Sequence, residues 1–489
     1  MSSELAPAWR STKGLAASLW TLLTLAAVVP SATPAAQAGG VPAALDANAT
    51  VRFALDHSPS VLAKRAAAAS AEATFTRLRA AELPTLTGQL SSQMTRSSNA
   101  QGSLAAYGLS QQNRFSQNTA QIGSQYTFYS GSLAQVQAQQ ARRQFESARA
   151  DLRRSEQQTA ADATSAFYNL AAKRTAVAVA ESNRLYQQAL LDAARVSERV
   201  GRVAGVDVLR AQVGESRGEA ALVSARADEE NAREALALQI GAPLATRFDV
   251  PETIPAPKLP ETPVDILIAI AQTHRPDVAS ARANRDAALL ADAAIDTDLR
   301  PQIALNAAFG NQVSPTTYGA QQSAIDQQNA INASQGLPAI PNVTRGQPGY
   351  WQIGATATLA IPLVDYGTRR TAHSSARAQI ASADAALASA LASVELDVRQ
   401  SLRAAQTGAT NLKLYAQADE LGRESARIAQ LQYKNGLISF SDADAAEQTA
   451  LSAANDFTAA RVNYLVSIVR LRIAIGDTDP ASAADVRGL

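Results

Sequence analysis

The chain is 489 residues long, with 44 basic and 43 acidic side chains, so it lacks the cationic excess of a nucleic-acid binder. It has no cysteine and only three histidines, which excludes a disulfide framework, a thiolate metal site and a cysteine nucleophile. Aromatic residues make up 5% and alanine is abundant, a composition suited to long helices packed closely together.

The first 38 residues read as a secretory signal peptide. Arg10 and Lys13 precede an apolar run from Leu15 to Val29, and Ala36-Gln37-Ala38 supplies the small-x-small cleavage pattern. The run is shorter than the ~20 residues a membrane-spanning helix needs. The mature chain is therefore expected to be exported, and to lie in the periplasm, outside the cell or in a membrane as a β-barrel.

The remainder reads as one unit written twice. Ala-Leu-Asp-His-Ser-Pro ends at Pro59, and Ala-Gln-Thr-His-Arg-Pro ends at Pro276; a second proline follows 25 residues later in each case, at Pro84 and Pro301. Gly201, Asp207 and Gly241 are spaced like Gly436, Asp442 and Gly476. The first repeat spans 39–241 and the second 264–476. A proline-rich linker at 242–263 separates them, and a tail at 477–489 is expected to be flexible.

Each repeat is expected to open with a helix from the x-Pro step and to continue with two strands. Residues 85–95, 119–129, 302–310 and 350–361 alternate apolar and polar types with period two, and each is about as long as a tilted membrane-crossing strand. Tyr126, Phe128, Tyr129, Tyr350 and Trp351 fall near strand ends, where interfacial aromatic girdles sit. The polar segments from Thr95 to Asn118 and from Asn311 to Gly349 read as exposed loops. Next come stretches free of proline, Ser132 to Val200 and Thr368 to Asn435. Heptad-like steps such as Leu387, Leu391, Val394 and Val398 predict supercoiled helices on the order of 100 Å long. Turns near 201–207 and 436–442 lead into return helices ending at Gly241 and Gly476.

Four spanning strands cannot close a barrel, and a bilayer does not tolerate an open sheet edge, so copies must pool their strands. Two copies would give about eight strands and a filled interior; three would give about twelve and a pore. Leu83-Pro84 and Arg300-Pro301 before a strand, Tyr129-Ser130-Gly131 and Asp365-Tyr366-Gly367 after one, and Tyr433-Lys434-Asn435-Gly436 ahead of Asp442 make a doubled, ordered set. In that set the chain resembles the TolC-type outer-membrane factors over essentially the whole mature sequence.

The resemblance implies a mixed α and β fold with internal duplication: a homotrimer whose twelve-stranded outer-membrane β-barrel, four strands per chain, is continued by a long α-helical coiled-coil barrel. It implies outer-membrane lipid around the barrel, and a periplasmic adaptor and an inner-membrane pump of RND or ABC type at the helical tip. The tip would comprise Gly201, Arg202, Val203, Gly436, Leu437 and Ser439. By resemblance Asp442 matches a gate acid, Tyr433 a tyrosine that braces the closed state, and Asp207 is the counterpart of Asp442 in the first repeat, with Asp444 a further gate candidate. The chain departs from the pattern at Ile438 and Ala445, where a linking arginine and a second gate acid would stand. Both Asp207 and Asp442 also suit helix N-capping.

No nucleophile elbow, phosphate-cradling loop or metal-spaced cluster is present, so no enzyme activity, catalytic residue, metal or cofactor is expected. His57 and His274 are expected to pack at helix starts, and His373 to be solvated or to face a lumen. The expected function is the outlet of a tripartite export system, for small molecules or drugs. The alternatives are a type I protein-secretion outlet and, outside the channel class, a secreted coiled-coil adhesin.

Overall fold

A computed structural model describes residues 46–99, 111–130, 132–201, 204–248, 250, 254–255, 257–298, 300–313, 319–340, 350–361 and 364–476. The expected signal peptide and tail lie outside the described residues.

The two repeats build the same parts. The first contains α1 (Ala47–His57), α2 (Pro59–Ala80), β1 (Thr85–Asn99), β2 (Gln111–Tyr129), α3 (Leu133–Arg199) and α4 (Gly205–Ile240). The second contains α5 (Val264–His274), α6 (Pro276–Asp298), β3 (Gln302–Val313), α7 (Gly319–Ser334), β4 (Tyr350–Ala360), α8 (Thr368–Lys434) and α9 (Phe440–Ile475). The long outgoing helices α3 and α8 both have 67 residues, and the returning helices α4 and α9 both have 36. At 1.5 Å per residue the longer helices extend about 100 Å.

Three features differ from the sequence expectation. Each x-Pro helix is preceded by a separate 11-residue helix, because a proline at the next N-terminus stops the first helix one residue earlier. β1 and β2 run past the expected bounds and stay paired as far as Asn99↔Gln111. Their outer ends carry few apolar residues, so the ladder continues there without an alternation to announce it. The expected loop from Asn311 to Gly349 contains α7, whose end is held by Asn329: its amide donates to the Ile340 carbonyl (2.9 Å) and its oxygen accepts from Ile340 N (2.6 Å).

The four strands form one antiparallel sheet in the order β1-β2-β3-β4. Among the described residues the outer edges of β1 and β4 have no partner strand. A register shift between Thr127 and Tyr129 bends β2 at its base, where it feeds α3.

The helices pack in hairpins along apolar seams. In the second repeat Leu267, Ile268 and Ala271 of α5, Val394, Val398 and Leu402 of α8, and Tyr464, Ile468 and Leu471 of α9 form one buried cluster, with Leu387 and Leu391 packed against it. Each fully buried aliphatic side chain contributes about 1.5–3 kcal/mol, so this junction is a main source of stability. The described parts of the linker lie against the helices. Val250 and Ile254 are buried, Tyr464 Oη donates to the Pro257 carbonyl (2.7 Å), and Arg174 donates to the Val250 carbonyl (2.8 Å).

A glycine closes each repeat for a packing reason as well as a conformational one. Gly241 and Gly476 both have positive φ, 75° and 85°. A Cβ on Gly241 would lie 2.6 Å from the His57 carbonyl oxygen, and one on Gly476 would lie 2.9 Å from Arg275 N. In both repeats the end of the hairpin therefore seats directly against the His-x-Pro step.

Candidate channel wall and helical tip

The sheet has two chemically different faces. Register places Leu86, Gly88 and Leu90 of β1 opposite Ser124, Ile122 and Ala120 of β2; Ile122 is opposite Phe309 of β3, which is opposite Ile353 of β4. Leu305 and Leu359 extend this apolar face, and Phe309 stacks on Trp351 at 5.2 Å between ring centres. All of these large side chains are exposed in the single chain, Ile353 at 84%. The other face carries Thr85, Thr87, Gln89, Gln121, Gln125, Asn306, Gln352, Thr356 and Thr358. On it Gln121 Nε2 donates to Gln89 Oε1 (2.9 Å), while Thr85 and Thr87 donate to carbonyls of β2. An apolar exterior and an uncharged, hydrogen-bonding interior are what a membrane barrel wall requires.

At the far end of the hairpins the sequence candidates fall into separate structural roles. Ser439 caps α9. Its Oγ accepts from Asp442 N (3.2 Å), and Asp442 Oδ2 accepts from Ser439 N (3.3 Å) and Ser439 Oγ (2.7 Å), a reciprocal capping box. Asp207 stands in the first turn of α4 and pairs with Arg210 at 3.2 Å, while the cap position is Ala204 and supplies no side-chain bond. Gly201 and Gly436 turn the hairpins with φ of 71° and 75°. Leu437 is 73% exposed beside this turn. Arg202 and Val203 lie outside the described residues.

Tyr433 and Asp444 belong to a contact that joins the two hairpins. Leu190, Leu191 and Ala194 of α3, Val208 and Ala211 of α4, and Phe440 of α9 form an apolar cluster, with Tyr186 and Tyr433 packed on it. The Tyr433 ring meets Phe440 edge-on at 6.2 Å, and its hydroxyl is buried without a hydrogen-bond partner. Burial, with the Asp207 charge, raises the Tyr433 pKa. Beside the cluster, Gln187 Nε2 donates to Asp444 Oδ1 (2.8 Å). Gln187 is 1% exposed, and its Oε1 and the nearby Asn183 Oδ1 are buried without partners. A Cβ on Gly214 of α4 would fall 2.5 Å from Gln187 Oε1, so the glycine gives that amide its space.

Glu447 sits one turn beyond Asp444. Burial, and then the Asp444 charge, push its pKa up. Burial together with the Glu447 and Asp444 charges and Tyr433 pushes Tyr186 up to about 12. Gln187, Asn183, Tyr186 and Glu447 carried no sequence signal, because each is one polar or amphipathic residue in a long helix.

Two histidine expectations need correction. His57 and His274 end the short helices α1 and α5, where each Nδ1 lies 3.0 Å from the carbonyl oxygen four residues earlier. His373 keeps some exposure but is not free: it lies between Asp292 and Asp296, because α6 packs along the start of α8. Among the described residues no group of three potential ligands could hold a metal ion. No described helix is long and apolar enough to cross a membrane.

The profile of the outer membrane efflux protein family matches residues 51–242 and 267–477, one match for each repeat. The chain belongs to this family. Its members are channels rather than enzymes. Among solved structures, the chain is similar to the CmeC outer membrane channel of Campylobacter jejuni, with TM-score 0.68 and 15% identity over 91% of this chain and 90% of that one. It is similar to the outer membrane protein VceC of Vibrio cholerae, with TM-score 0.65 and 18% identity over 88% of this chain and 96% of that one. The open state of the MtrE outer membrane channel of Neisseria gonorrhoeae gives TM-score 0.65 and 19% identity over 88% of each chain. Comparison with curated proteins gives no match. The outer membrane efflux fold thus accounts for the mixed architecture: a four-stranded sheet with a lipid-type face, continued by helical hairpins.

Proposed function

We propose that three copies of this chain close a twelve-stranded barrel in the outer membrane, and that their hairpins form a tunnel receiving small molecules from an inner-membrane pump through a periplasmic adaptor. The supporting observation is the open sheet, apolar on one face and rich in glutamine and threonine on the other, leading directly into 67-residue helices. Closing it with one more copy would give about eight strands and a filled interior, whereas three copies leave a conduit. The family's description as efflux proteins favours small-molecule cargo over a type I secretion outlet. Exposed Val200, Leu209 and Leu437 give the tip an apolar surface for an adaptor.

A deletion strain compared with its parent tests the cargo. Sensitivity to a panel of dyes and drugs is expected to rise, with the secreted proteins unchanged. Loss of one or a few large secreted proteins, with drug sensitivity unchanged, would replace this reading with the secretion outlet.

The inter-hairpin contact is proposed to hold the tip closed. Unsatisfied buried groups cost about 1–3 kcal/mol each, so Asn183, Gln187 and the Tyr433 hydroxyl leave the closed packing only modestly favoured over a hydrated, parted one. Asp444→Ala, which frees the Gln187 amide, is expected to raise open probability in planar bilayers. Asp442→Ala is expected to raise conductance and weaken block by multivalent cations. Ser439→Ala removes the cap, at about 1 kcal/mol, but keeps the carboxylate. Identical channel records for Ser439→Ala and Asp442→Ala would leave Asp442 as a cap alone.

A further inference from the structure

Directly beneath the sheet, α6 leads into β3, and the chain leaving β4 enters α8. Between these two helices His373 of α8 has Nδ1 2.7 Å from Asp292 Oδ1 and Nε2 3.1 Å from Asp296 Oδ1. Asp292 and Asp296 are four residues apart on α6 and so share one helical face. A neutral imidazole has one N–H and one bare nitrogen, so only the imidazolium donates to both carboxylates. Arg369, one turn before His373, also binds Asp296. The other acid at the start of α8, Asp365, accepts from Gly367 N and Arg369 N and is turned toward its own helix start. Charged His373 and Arg369 thus balance Asp292 and Asp296. Loss of the proton leaves an uncompensated carboxylate in the junction.

The first repeat builds the same junction differently. Aligned on Pro59 and Pro276, Asp292 and Asp296 correspond to Phe75 and Arg79; aligned on Gly131 and Gly367, His373 and Arg369 correspond to Gln137 and Leu133. The titratable set is therefore particular to the second repeat and is not a requirement of the fold.

We propose that His373 is a proton-operated clamp between the two helices that carry the β3–β4 hairpin. Charged, it ties α6 to α8 at both carboxylates. Neutral, it keeps its shorter bond through Nδ1–H to Asp292 and releases Asp296, which Arg369 retains, so the collar beneath the sheet loosens on the alkaline side. The hydrogen bond from Asp292, opposed by burial and reinforced by Asp296, raises the histidine's pKa. A group whose pKa is raised on folding stabilises the fold below its unfolded value, and loses that contribution as pH rises through its folded value.

The test uses the intact trimer labelled with 13C and 15N at histidine. Only three histidines contribute, and His373→Gln identifies the signal. At about pH 7 both ring nitrogens of His373 are expected to be protonated, and at alkaline pH the neutral form is expected to carry its proton on Nδ1. Across that titration, hydrogen-exchange protection of residues 364–380 is expected to fall about tenfold, in keeping with loss of one hydrogen bond to a charged group. His373→Arg, charged throughout, is expected to stay protected at every pH, and His373→Gln to stay loose. A neutral His373 at pH 7, or a titration that leaves protection unchanged, overturns the proposal. Neither readout depends on the pump or the cargo.

Discussion

Arginine in place of Ile353 is expected to cost about 2–4 kcal/mol of barrel stability, while arginine one residue away, in place of Gln352, is expected to cost little and to shift ion selectivity toward anions. Ile353 lies mid-strand on the apolar face, between Phe309 and the open edge, and is 84% exposed in the single chain. A cation there must sit in hydrocarbon or drag water and headgroups toward itself. Gln352 is opposite Gly310 on the face that carries Gln89 and Gln121, which lines the lumen of the proposed barrel, where a charge stays hydrated. The yield of heat-resistant trimer on gels, followed by reversal potentials in a salt gradient, checks both halves. Equal loss of trimer from the two variants would mean that the faces have been assigned wrongly, or that both face lipid.

Arg275→Met is expected to be the most damaging single change in the helical part, at about 3 kcal/mol, the low end for breaking a buried ion pair. Arg275 is 2% exposed and packed between the start of α6 and the middle of α8. Its Nε donates to Asp277 Oδ1 (3.0 Å) and its Nη1 to Asp397 Oδ2 (2.9 Å). Burial alone would raise the Asp277 pKa, but the hydrogen bonds and charge of Arg275, with help from Arg154, outweigh it and hold the carboxyl below its ordinary range. Arg154 itself is disfavoured by burial and by the neighbouring Arg275 charge, so in the variant it takes over part of the role and limits the loss. In the native chain a depressed Asp277 stabilises the fold above its unfolded pKa and loses that contribution only in strong acid. In the variant the burial penalty remains without its partner. The deficit relative to the native chain is therefore expected to shrink as pH falls through the carboxylate range. Thermal dissociation of the trimer measured at pH 7 and at pH 4 reads both the loss and its pH trend.

Much of this architecture could be read along the chain because its devices are local. Pro59 and Pro276 mark the same helix start because proline presets φ and has no N–H to lose there. Gly201, Gly241, Gly436 and Gly476 mark ends because each adopts positive φ. The strands around Leu86–Leu90 and Trp351–Leu359 announced themselves by period-two alternation. That signal fades at Arg96–Asn99, where polar residues dominate both faces, so the outer strand ends were legible only as backbone pairing. The helix α7 was hidden for a related reason: Gln, Asn and Ser dominate it, and it leans on loop carbonyls through Asn329 and Asn332 instead of on an apolar stripe.

The sequence by itself determined the doubled plan, the element types and the two-faced sheet, and through them the family. Tertiary structure decided which side chains meet between helices: Gln187 with Asp444, Arg275 with Asp397, and His373 with Asp292 and Asp296. The physical reason is rotational phase. Each helical residue turns the face by about 100°, at 3.6 residues per turn. Over 67 residues, a small change in supercoil moves a given side chain from one neighbour to another or into solvent. Repeat spacing records where a helix begins and ends, but the cross-hairpin partners are set only when both helices settle their twist against each other.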